Sequence, residues 1–181
     1  PMKLNVIGTA TISETRAPRP RKILYSPGYG AGWTTWHMGP PDQQEFMLSY
    51  EPFIEALEAR PEGEPKTRTV AFTAAAVGGE AKLYEGRVPT TPQMASDRAA
   101  HYKRVARVLK LPRGGRVLWE VSSEEVPEDL PVGRFLIDWL IRFGTAEPPL
   151  LYGLRDLAVY EVGSAEFTIR ENDGSERVAL R

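Results

Sequence analysis

The chain has 181 residues, with 23 basic and 24 acidic side chains and no cysteine. A net charge of −1 excludes attraction of the whole protein to polyanions. The lack of cysteine excludes disulfides, thiol catalysis and cysteine-based metal sites. Two histidines, His37 and His101, leave little for a histidine metal cage, so neither a metal nor a cofactor is expected. The length fits a single domain over 2–181, with Met2 read as the natural start and Pro1 as a residue of cloning origin. No run of 18 apolar residues occurs, which predicts no membrane span. Arg outnumbers Lys 17 to 6, Asn and Gln total five, and Pro reaches 16. That bias fits either a thermophile or a GC-rich genome.

In chain order, loose alternation over 3–13 predicts a strand, and Arg16 to Pro20 a connector. Residues 22–26 form a short apolar run that stops at Pro27-Gly28, which reads as a buried strand. A glycine loop, Gly28 to Trp33, follows. After Pro40-Pro41-Asp42 the spacing of Phe46, Tyr50, Phe53 or Ile54, and Leu57 predicts a helix, kinked or restarted at Pro52 with Ser49 as its cap. Residues 66–77 and 80–88 read as a hairpin about Gly78-Gly79. A helix is expected over 94–110, a strand over Val117 to Val121, and a polar loop at Glu124-Glu125. Val132, Phe135, Trp139, Leu140 and Phe143 form one helical face, with Pro131 at its start and Gly144 just past its end. Strands are expected at 149–153 and 157–162, then a C-terminal hairpin about Asn172-Asp173-Gly174. This order predicts an α+β fold, a mixed or antiparallel sheet packed against two or three helices. The stretch 62–130, bracketed by prolines, reads as an inserted hairpin and helix or a subdomain.

Three constellations are candidates for chemistry. The first is the loop Ser26, Gly28, Tyr29, Gly30, Gly32 and Trp33, continuing to Trp36 and His37. Glycines after a buried strand let exposed N–H groups cradle an anion, and the aromatic planes could stack a base or a sugar. It lacks the ending of a Walker A loop and the spacing of a dinucleotide fingerprint. A glycine turn packed under its own aromatics, a ligand site and a protein interface all fit. The second is a basic stretch: Arg98, Lys103, Arg104, Arg107, Lys110, Arg113 and Arg116, seven cations in 19 residues with no acid among them. It suits phosphates, nucleic acid or an acidic protein face, or is a solvated helix surface. The third is acid–base chemistry by His37 or Asp42, helped by Arg21 or Lys22 against a phosphate. Glu51 and Glu55, four residues apart, could share a metal ion or simply form an outer helix face.

The run Lys22 to Trp36 (KILYSPGYGAGWTTW), followed by Glu45 to Glu58 (EFMLSYEPFIEALE), resembles the opening of a family of small uncharacterised bacteriophage and prophage proteins. The ending Phe167 to Glu176 (FTIRENDGSE), after a helix ending in Phe143-Gly144, resembles that family's ending. Relative to it, 3–13 and 62–130 are additional. The resemblance implies a mobile-element context and no mechanism. With a thin catalytic inventory, the expected function is a non-enzymatic phage accessory protein in the host cytoplasm. It would bind a host protein or sequester a nucleotide-like or anionic small ligand through the loop 26–37. The alternatives are a small hydrolase or transferase on a phosphorylated substrate, and nucleic-acid or RNA polymerase binding through 98–116.

Overall fold

The computed structural model describes residues 21–30, 32–37, 39–86, 115–144 and 146–181. The expected strand 3–13, the helix 94–110 and the basic residues Arg98 to Arg113 lie outside them.

The fold is α+β, with seven strands in three antiparallel sheets and three helices among the described residues. Strand β1 (Arg21–Tyr25) pairs with β5 (Ala158–Gly163), Ile23 opposite Tyr160. Strands β2 (Thr67–Val77), β3 (Glu80–Glu85) and β4 (Arg116–Pro127) form a sheet in the order β3-β2-β4. Strands β6 (Phe167–Asn172) and β7 (Ser175–Leu180) form the C-terminal hairpin. Its loop is Asp173-Gly174, both at positive φ (51° and 78°), the backbone that matches a two-residue turn to strand twist.

The helices follow the sequence pattern, the restart at Pro52 included, with one correction. Helix α1 (Pro41–Leu48) and α2 (Glu51–Glu58) are separate, and Pro52 sits in the first turn of α2, where its missing N–H is harmless. Ser49 does not cap α2. It ends α1, its hydroxyl donating to Glu45 O at 2.7 Å, and Tyr50 takes the N-cap position. Helix α3 (Val132–Phe143) starts after Pro131 and stops at Gly144.

Strand β4 runs past Val121 to Pro127 and takes in Glu124 and Glu125, which are therefore not a loop. Partners shift between Arg68 and Val70, and Glu125 has φ 54°, which marks a bulge. Residues 149–153 are not a strand. Leu151 has φ 57°, which a ladder does not allow, and two side chains capture the local carbonyls: Ser123 Oγ donates to Leu151 O at 2.9 Å and Ser26 Oγ to Gly153 O at 3.2 Å.

One core joins these parts. Val70, Phe72, Ala74, Trp119 and Val121 from the three-stranded sheet share a buried cluster with Phe53, Phe135 and Trp139. Phe135 has no exposed surface and lies 5.0–5.5 Å from the rings of Trp33, Phe46, Tyr50 and Phe53. Tyr50 keeps its polar end satisfied by donating to Asp138 Oδ2 at 2.6 Å. Burial, together with that hydrogen bond, holds the Tyr50 phenol well above its ordinary range.

Candidate binding cleft

The loop after β1 is held in place by the far end of the chain. Glu176, the second residue of β7, is fully buried and reaches into the loop. Its Oε1 accepts from the amides of Trp33, Thr34 and Thr35 at 3.0, 2.8 and 2.8 Å. The same oxygen accepts from the hydroxyls of Thr34 (3.3 Å) and Thr35 (2.8 Å). Its Oε2 accepts from the Ser26 amide at 2.8 Å. Consecutive N–H groups converging on one carboxylate make an anion nest, and here the anion belongs to the protein itself.

Neighbouring bonds extend the suture. The Glu176 amide donates to Ser26 O at 2.7 Å, Ser175 Oγ to Pro27 O at 2.8 Å, and the Gly30 amide to Asp173 O at 2.7 Å. Gly28 lies directly against Asp156: a Cβ at this position would sit 2.1 Å from Asp156 Oδ2 and 2.7 Å from Asp156 Cβ. Gly28→Ala is expected to cost about 1–3 kcal/mol, by overpacking a site that a rotamer change of Asp156 cannot clear. Thermal unfolding checks this, with Asp156→Gly in the same chain restoring most of the loss.

The eight loop residues expected to bind a ligand therefore divide. Ser26, Gly28 and Gly30 attach the loop to the rest of the fold, and Tyr29 points into solvent, 73 % exposed. Gly32, Trp33, Trp36 and His37 line an open cleft of about 410 Å³. Its opposite wall is the irregular segment 146–152, which includes Pro148, Pro149, Leu150 and Tyr152, and Gln43 of α1 closes the floor.

The walls are held by specific contacts. The Trp33 indole N–H donates to Met47 O at 3.1 Å, and the Trp139 indole N–H to Ala146 O at 3.1 Å. His37 Nε2 lies 3.0 Å from Gln43 Oε1, and its ring meets the Trp139 ring edge-on at 5.5 Å. At the mouth Trp36 and Tyr152 form an edge-to-face pair at 5.9 Å. Both are partly exposed (41 % and 43 %), as is Leu150.

His37 faces Gln43, whereas Asp42 is exposed at the start of α1, accepts from the Gln43 amide at 3.0 Å and does not line the cleft. Arg21 and Lys22 are spent on Glu45 (2.8 Å) and Glu58. Glu51 and Glu55 lie on the exposed side of α2, and no group of three metal-ligating side chains occurs among the described residues. Of the basic stretch only Arg116 is described; it is exposed at the start of β4. No helix among the described residues is long and apolar enough to cross a membrane.

Sequence reasoning missed Glu176, Gln43 and the 146–152 wall. For Glu176 a signal existed: the loop is rich in N–H and hydroxyl donors and holds no acid of its own, which suits a carboxylate from elsewhere in the chain. The comparisons add no relative, since no family model, curated protein or solved structure matches the chain.

Proposed function

We propose that this chain is a non-enzymatic binding protein of phage type, acting in a host cell by seating a group of a host protein in the cleft between 32–39 and 146–152. The observation that carries the reading is the pairing of an aromatic, surface-open cleft of about 410 Å³ with a loop whose donors are already consumed internally. A volume in this range is ordinary for a site that takes a ligand-sized group. Trp36 and Tyr152 at the mouth are the residue types that dominate binding energy at protein interfaces. The occupied nest weighs against an external phosphate.

The test is a titration followed by the tryptophan indole N–H resonances, using blocked amino-acid amides, nucleosides and nucleoside phosphates as probes. Saturable shifts of Trp36 are expected with at least one amino-acid probe. Trp36→Ala or Tyr152→Ala should weaken that binding about tenfold while leaving the melting temperature within a degree or two, because both side chains are partly exposed. Binding that follows the phosphate and survives both substitutions, or silence across all three probe classes, would overturn the reading.

A further inference from the structure

We infer that the group this cleft selects is the guanidinium of an arginine on the partner protein. The inference rests on the cleft reading above and deepens it, from three observations.

The first is charge. Among the described residues Glu147 is the one acidic side chain that lines the cleft, and it is exposed; neither Lys nor Arg among them lines the space. The second lies behind the wall. The buried Glu176 carboxylate accepts from the amide of the cleft-lining residue Trp33 and from those of Thr34 and Thr35. No ion pair among the described residues involves it, so its charge is offset only by the dipoles of its amide and hydroxyl donors, and what remains acts in the same sense as Glu147. In a partly desolvated cleft, both charges favour a cation and oppose an anion.

The third is ring chemistry. Trp36 and Tyr152, the two partly exposed rings at the mouth, are the aromatic groups a ligand can reach, and tryptophan is the strongest partner for a cation held over a ring. A guanidinium suits such a site better than an ammonium: it is planar, stacks on aromatic faces and sheds water more readily. Its aliphatic stem would lie along Leu150 and the prolines Pro148 and Pro149, which contribute apolar wall and no charge.

The experiment titrates the full chain with N-acetyl-arginine amide, the equally shaped but neutral N-acetyl-citrulline amide, N-acetyl-lysine amide and adenosine, following the Trp36 indole resonance. Arginine is expected to bind about tenfold more tightly than citrulline. Glu147→Gln should reduce arginine affinity about threefold to tenfold and leave citrulline unchanged. Citrulline matching arginine, or an unaltered arginine affinity in Glu147→Gln, overturns the cation assignment. Lysine matching arginine overturns the choice of guanidinium. Adenosine binding with arginine silent overturns the cation assignment as well, yet leaves the cleft a binding site. No response of Trp36 to any probe overturns both readings.

Discussion

Replacing Glu176 with Gln is expected to destabilise the protein by about 2–4 kcal/mol, against a total of about 5–15 kcal/mol for a domain of ordinary stability. The substitution keeps shape and volume, so no cavity forms. What changes is the polarity of one atom and the charge of the group. The two carboxylate oxygens face only donors: three amides and two hydroxyls on Oε1, and the Ser26 amide on Oε2. A carboxamide must turn its NH2 toward one of these sets, which sets donor against donor, and the bonds that survive lose the ionic contribution that makes such contacts about twice as strong as neutral ones. At this chain length the midpoint of thermal unfolding should fall by about 4–16 °C. Amide hydrogen exchange gives the sharper readout: Trp33, Thr34 and Thr35 should exchange faster in Glu176→Gln, while amides of α3 change only through global unfolding. Glu176→Ala should be worse, since it leaves four backbone amides without their acceptor. A Glu176→Gln protein that melts within 0.5 kcal/mol of the parent would show that the carboxylate charge contributes nothing to the loop.

The contrast between this carboxylate and the elements around it shows where sequence reasoning reached. The C-terminal hairpin was legible because Asp173-Gly174 specifies a turn locally, and the strands on either side then pair by necessity. The face of α3 was legible because period and stop signal lie within 13 residues, from Val132 to Gly144. The nest was half legible. Its donors sit together in the loop, but their acceptor lies 141–150 residues away in sequence, and no periodicity encodes that closure. Glu176 shares its face with Val178 and Leu180, so alternation alone does not turn it outward; its being an acid is what would assign it to solvent, yet it is buried. The wall 149–153 failed for a related reason. Leu150-Leu151-Tyr152 carries a strand's composition, yet side chains from Ser123 and Ser26 take the Leu151 and Gly153 carbonyls, which a neighbouring strand would otherwise claim. In both places long-range polar bonds, invisible to local pattern, overrode local preference, and both places border the cleft.

The second large effect is expected at Phe135. Its ring is wholly buried and stacks on Phe53 at 5.2 Å with an interplanar angle of 23°. Tyr50 stands on it edge-to-face at 5.0 Å, and Trp33 and Phe46 tilt against it at 5.5 Å. Four rings from α1, α2, the intervening turn and the glycine loop thus meet on one side chain of α3. Phe135→Ala should cost about 3–5 kcal/mol, the range for deleting a buried phenyl, because rings fixed by their own backbones collapse poorly into the space left. The unfolding midpoint should fall by about 6–20 °C. Ile141→Ala on the same helix is the control: its side chain is 78 % exposed, and its change should stay within about 0.5 kcal/mol. Phe135→Leu should recover part of the loss by refilling volume without restoring ring contacts. Trp33 rests on Phe135 on one side and lines the cleft on the other. Ligand affinity at the cleft should therefore fall in Phe135→Ala even at temperatures where the chain remains folded, and stay unchanged in Ile141→Ala. Loss of stability without loss of affinity would mean that Trp33 is positioned by the Glu176 nest and its bond to Met47 alone.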